Sequence, residues 1–179
     1  MDQKGYVFEN FRPSDLVEIA SLHALSWQRH YRTILPDSFL DHEVRQERLD
    51  LWSDRFEKMS PLMHIITLRK EQQLVGFSGV FLNEHPDYGA YIDNLHVLSE
   101  HQRLGLGYEL MRRTAQYVSK KNSESGMYLH VFDVNDDAIS FYERIGGVHE
   151  ETKNVKAPGG VVAPVRIYSW RNISEFLAT

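Results

Sequence analysis

The apolar positions change their spacing partway along the chain, and the change separates two kinds of element. Tyr6-Val7-Phe8 is a short strand candidate. Pro13-Ser14-Asp15 then offers a helix start ahead of Leu16, Ile19, Ala20, Leu22 and His23, which share one helical face. Pro36 interrupts that pattern. A second helical region is expected from about Asp37 to Met59, with Phe39, Leu40, Leu49, Trp52 and Phe56 turned inward. From His64 the reading becomes β-rich: His64-Ile65-Ile66-Thr67-Leu68, a polar turn at Lys70 to Gln73, and Leu74 to Leu82 predict a hairpin. After a loop containing Pro86, Ala90 to Val97 predicts a further strand.

Helical spacing returns at Leu106, Leu110, Met111, Ala115 and Val118, which predicts a helix from about Gly107 to Lys121. Lys120 and Lys121 then sit at the negative end of its dipole. Met127 to Val131 reads as a strand. Asn135-Asp136-Asp137 opens a helix that Gly146-Gly147 closes. Val148 to Val155 and Val161 to Trp170 predict a closing hairpin across Pro158-Gly159-Gly160. Strands and helices mix without strict alternation, which predicts an α/β or α+β fold around one mixed sheet. With neither repeat nor low-complexity linker, residues 1–179 are expected to form a single domain.

Composition narrows the function. The chain has 25 acidic and 20 basic residues, a net charge of -5, which argues against general affinity for nucleic acid or anionic membrane. It has no cysteine, so disulfides, thiolate metal sites and cysteine nucleophiles are excluded. Its nine histidines show no ligand spacing, and no metal is expected. The start, Met1-Asp2-Gln3-Lys4-Gly5, is polar, and no apolar run reaches the ~20 residues of a membrane span, so a cytoplasmic protein is expected.

The segment from Leu95 to Tyr108 carries the candidate chemistry. A strand ends, a polar loop follows, and Gly105 and Gly107 open a helix whose first N–H groups lack internal partners. Such a turn can hold a pyrophosphate, with Arg103 adding charge; equally, the two glycines can serve only a tight strand-to-helix turn. A dinucleotide-binding fingerprint fits poorly because its third glycine would fall on Leu110, and the Gly-Lys-Ser/Thr ending of a P-loop is missing.

Gln102-Arg103-Leu104-Gly105-Leu106-Gly107 resembles the Q/R-x-x-G-x-G/A motif of the GNAT superfamily, the Gcn5-related N-acetyltransferases. Tyr91-Ile92-Asp93-Asn94-Leu95-His96-Val97 resembles that family's fourth strand, and Asn135 with Ala138, Phe141, Tyr142 and Gly146 its second motif. Element order agrees from about residue 6 to 170, more loosely in the first helices. The resemblance implies a mostly antiparallel sheet splayed between strands four and five, with acetyl-CoA as cosubstrate. Backbone groups of Leu95, His96 and Val97 would pair with the pantetheine arm, and Arg103, Leu104, Gly105, Leu106, Gly107 and Tyr108 would hold the pyrophosphate. Asn135 would contact the cofactor arm while also serving as a helix N-cap.

By the same resemblance, the implied reaction is direct attack of a primary amine on the thioester, which needs no covalent intermediate. Tyr142 matches the general acid, its alternative being a core tyrosine beside Phe141. The oxyanion is expected to meet a backbone N–H near Leu95. Strand alternation predicts Tyr91, Asp93, Leu95 and Val97 on one face. Asp93 is the carboxylate there, as base, as anchor for a cationic substrate or as a cap on the splay; Glu84 on the neighbouring loop is a second base candidate, and a water relay a third. Trp27, His30 and Tyr31, expected between the first two helices, would line an acceptor pocket or seal the core. Glu84, Asp87 and Asp93 would suit a cationic amine. A polyamine, aminoglycoside, amino acid or protein amine all stay open as acceptor, as does a homodimer. The rival classes are a non-catalytic acyl-CoA-binding module and a transferase of longer acyl groups.

Overall fold

The computed structural model describes residues 4–58 and 60–178. Among these residues seven strands form one sheet in the order β1-β2-β3-β4-β5-β7-β6. They are β1 (Tyr6–Asn10), β2 (Met63–Lys70), β3 (Gln73–His85), β4 (Gly89–Val97), β5 (Met127–Phe132), β6 (Val148–Lys156) and β7 (Val162–Trp170). Every neighbouring pair is antiparallel except β4 and β5, which run parallel. The one mixed sheet expected from the strand pattern forms, with the mostly antiparallel pairing that the resemblance implies.

Among the described residues six helices cover it: α1 (Leu16–His30), α2 (Asp37–His42), α3 (Val44–Glu57), α4 (Leu106–Lys121), α5 (Asp136–Arg144) and α6 (Ile173–Ala178). The single helical region expected after Pro36 is two helices, because the backbone turns aside at Glu43 (φ -113°, ψ -36°). That turn lets Phe39, Leu40 and Val44 pack with Ala24 and Leu35 while Trp52 reaches a second cluster. Its expected end, Met59, lies outside the described residues, as do Met1, Asp2 and Gln3 of the polar start. The short helix α6 buries Ile173 and Phe176; the sequence pattern gave no forewarning of it.

The apolar stripe of α4 drives one layer of the core. Met111, Ala115 and Val118 pack with Val80, Ile92, Leu129, Ile139, Tyr142 and Trp170, so α4, α5 and α6 lie on one side of the sheet. On the other side Ile19, Ala20 and Leu22 of α1 and Trp52 of α3 pack on Met63, Ile65, Leu74 and Phe77. Burying each such side chain contributes about 1.5–3 kcal/mol, enough to fix helices of modest propensity. None of the described helices is long and apolar enough to span a membrane.

Candidate active site

Strands β4 and β5 pair only over Ala90–Met127, Tyr91–Tyr128 and Ile92–Leu129. Beyond Ile92 the two strands diverge, β4 running on to Val97 and β5 to Phe132. The edge of β4 facing β5 therefore has backbone groups without a ladder partner from Asp93 onward, a place for an extended polar chain to add itself.

A bulge in β4 sets which side chains face which helices. Gly79 pairs with Asn94 but Val80 with Ile92, so Asp93 is the extra residue. Simple alternation fails there. Tyr91 and Asp93 face α1 and α3, but Leu95 and Val97 turn the other way, into the cluster with Leu68, Leu106 and Leu110. His96 takes the α1 side, with its ring 4.7 Å from that of His23 and its Nδ1 2.9 Å from the Ser26 hydroxyl. The shared face expected for Tyr91, Asp93, Leu95 and Val97 is thus corrected to two faces.

Past Val97, a 3-10 turn at Ser99–His101 leads to α4. The Gln102 amide donates to the Val97 carbonyl at 2.9 Å, and Arg103 and Gly105 both adopt left-handed backbone, φ 60° and 77°. Leu104 and Leu106 anchor the loop in the apolar cluster beneath. Among the described residues no side chain caps α4, so the N–H groups of Leu106, Gly107 and Tyr108 keep their hydrogen-bonding capacity. A Cβ on Gly107 would meet the Phe141 ring at 3.6 Å, an ordinary contact. The two glycines thus differ in role: Gly105 permits the turn, and Gly107 receives α5.

Asn135 immediately precedes α5, and its side-chain oxygen accepts from the Ala138 N–H at 3.3 Å. The N-cap role expected of Asn135 is therefore in place. Two turns on, Tyr142 is 8% exposed, packed against Tyr168 and Trp170 with ring centroids 6.2 and 6.0 Å away. Burial, with a smaller contribution from Tyr31, holds its phenol firmly protonated. Tyr31 approaches from the opposite side of the sheet, and burial raises its phenol to about 12. The two phenols are near enough for Tyr31 to act on Tyr142 across the sheet.

Trp27 and His30 lie inside the last turns of α1 and Tyr31 is its C-cap, so the three are on the helix rather than between helices. Trp27 stacks edge-on with Tyr31, and Tyr31 with Phe132 of β5 at 4.9 Å. Asp93 is paired: Arg55 of α3 donates to its Oδ2 at 2.6 Å, and the Asn94 amide donates to the same oxygen. Glu84 is exposed and belongs to β3 itself, not to a loop, because β3 runs on past a second register shift to His85. Asp87 is also exposed, whereas Glu84 lies near enough to Tyr128 of β5 to add to the burial that raises its phenol.

The sequence reading missed residues on the facing strand and helix. His130 of β5 follows Tyr128 by two positions and shares its face, with its ring 5.1 Å from that of Tyr91. Its Nε2 is buried without a hydrogen-bond partner, and burial, aided by Lys153 and opposed by Asp93, lowers its pKa to about 4. Arg48 and Arg55, two turns apart on α3, were also unmarked. Period-2 alternation would have put His130 beside Tyr91 once the β4–β5 register was known.

The model of the family described as "Acetyltransferase (GNAT) family" matches residues 20–147. The uncharacterized N-acetyltransferase YuaI of Bacillus subtilis is 28% identical over 132 residues, covering 72% of each chain. Among solved structures, the PaiA N-acetyltransferase of Thermoplasma acidophilum in complex with coenzyme A superimposes with TM-score 0.69 at 16% identity, over 92% of this chain and 99% of that one. A spermidine N-acetyltransferase SpeG variant from Vibrio cholerae does so with TM-score 0.67 at 19% identity, over 98% of each chain. At such identities the structural likeness speaks for the fold.

Proposed function

The chain belongs to the GNAT family of acetyl-CoA-dependent N-acetyltransferases, and from that premise we propose that it acetylates a primary amine by direct attack, as one domain, with the thioester lying in the gap between β4 and β5. The observation that carries this reading is the coincidence of two unmet backbone sites: the uncapped start of α4 at Leu106–Tyr108 and the unpaired edge of β4 beyond Ile92. The first suits a pyrophosphate, with Arg103, Leu104 and Gly105 completing the turn, and the second suits the amide-bearing pantetheine arm along Leu95, His96 and Val97. Coenzyme A supplies the activated acetyl group when bound; the roles below belong to the protein.

Tyr142, kept protonated by burial, donates its proton to the departing thiolate. A β4 N–H near Leu95 holds the oxyanion, which costs no reorganisation because the strand is already fixed by its pairing with β3. Asn135 stands at the cofactor arm as well as capping α5. The amine must lose a proton, and Nε2 of His130, which has no hydrogen-bond partner among the described residues, is an acceptor beside Tyr91 that can take it. Asp93, held by Arg55, then acts as an anchor that fixes β4 at its bulge, and Tyr91, Trp27 and Tyr31 wall the acceptor side.

Two measurements test the reading together. Calorimetry should show saturable acetyl-CoA binding, and thiol release should depend on an added amine. Binding without amine-dependent release across a broad acceptor panel would leave a CoA-binding module instead.

A further inference from the structure

We propose that the acceptor amine also carries a carboxylate, and that the Arg48 guanidinium on α3 recognises it; the inference rests on the transferase reading above. Arg48 is a charged side chain only 7% exposed, set into the acceptor side of the sheet. Its guanidinium carbon lies 4.1 Å from the centre of the Trp27 ring. It is close enough to ease ionisation of the Tyr31 phenol and to disfavour protonation of His23 and His96. These residues form one chain of ring contacts, from His96 through His23 and Trp27 to Tyr31, on the α1 side of the sheet.

The protein meets only part of this group's demand. Glu47 takes Nε and Nη2, and among the described residues no bond reaches Nη1. Glu47 is the preceding residue on the same helix, and adjacent helical positions do not face each other, so the pairing requires Glu47 to bend in from a surface where it is 36% exposed. A partner so placed yields readily to a better one. A carboxylate approaching past Trp27 and Tyr31 would find a planar fork stacked on an indole, with Nη1 still free to donate.

The rest of the wall agrees in sign. Arg55, over the Trp52 ring at 5.0 Å, neutralises Asp93, and Lys153 acts on His130 from β6. Asp93 is thus compensated and offers no free carboxylate to a polyamine, which leaves Glu84, at the exposed end of β3, as the acid nearest Tyr128. An amino acid, whose amine and carboxylate are a few bonds apart, satisfies both the thioester geometry and Arg48.

The test compares amino acids of increasing amine-to-carboxylate separation with their carboxamides, and with spermidine and an aminoglycoside, by thiol release and mass spectrometry of the product. The best amino acid should exceed its own amide in kcat/KM by roughly 10- to 100-fold, the range of a lost charged hydrogen bond. Arg48→Lys, which keeps charge and stem but not the fork, should shrink that ratio and leave acetyl-CoA binding unchanged. Equal rates for acid and amide, a preference for spermidine, or no turnover of amino acids by protein that binds acetyl-CoA would each overturn the inference while leaving CoA binding in place. Absence of acetyl-CoA binding in the same preparation would sink the transferase reading as well.

Discussion

Arg55 donates to Asp93 across 2.6 Å, tying α3 to β4 at the bulge where β4 parts from β5. Both side chains are about one-fifth exposed, 19% and 20%, so the pair is neither screened like a surface bridge nor fully desolvated. The carboxylate that the sequence offers as a base is thus engaged in holding the strand.

Removing one partner leaves the other charge partly buried and alone. Asp93→Asn is expected to cost about 1–3 kcal/mol in urea unfolding, and Arg55→Met a similar amount. The double variant should recover part of the loss, giving a favourable coupling in the double-mutant cycle. Independent, additive effects would show that the pair does not hold the bulge.

Tyr142→Phe keeps the ring packing against Tyr168 and Trp170 and removes only the hydroxyl. It should lower kcat by about 100-fold or more, with little change in acetyl-CoA affinity. A rate within twofold of the parent, measured by single turnover, would return Tyr142 to the core.

The two glycines of the turn should respond differently to alanine. Gly105 has φ 77°, where a Cβ costs about 1–2 kcal/mol, so Gly105→Ala should destabilise the protein and weaken acetyl-CoA binding. Gly107→Ala places its methyl 3.6 Å from Phe141, an ordinary contact, and should fold and bind nearly as well as the parent. Calorimetry and thermal unfolding of the two variants check both statements.

Acid should destabilise the fold through its buried imidazoles. Burial lowers His96 to about 3 and His130 to about 4, against an ordinary value near 6.5, and His23 falls in the same direction. Below about 6.5 the unfolded chain takes up protons that these folded groups refuse, so stability is full above that pH and declines as pH falls toward 4 and 3. Unfolding free energy between pH 7 and 4 should lose part of its slope in His96→Gln, with His130→Gln removing a further part.

His130→Gln also tests the proton acceptor. It should lower kcat/KM for the amine by about 100-fold without changing acetyl-CoA affinity, whereas Glu84→Gln, altered at an exposed position, should leave the rate unchanged. The reverse ranking would move the base to the end of β3.

What the sequence determined by itself is local. The stripe from Leu106 to Val118, the glycines at 105 and 107, and the Asn135 cap each depend on near neighbours along the chain, and all form where their spacing puts them. Even the boundaries of the last hairpin follow from Pro158-Gly159-Gly160. What only the tertiary structure decided is every relationship across strands and layers. The bulge at Asp93 arises from pairing with β3, and it turns Leu95 away from Asp93 although strand periodicity makes them neighbours. The partners of Asp93 and Trp27 come from α3, decades of residues away, because burial of Trp52 sets how α3 lies on the sheet. Periodicity records which face of an element is apolar; it carries no information about which other element will cover that face, and the character of the acceptor wall is settled by that choice.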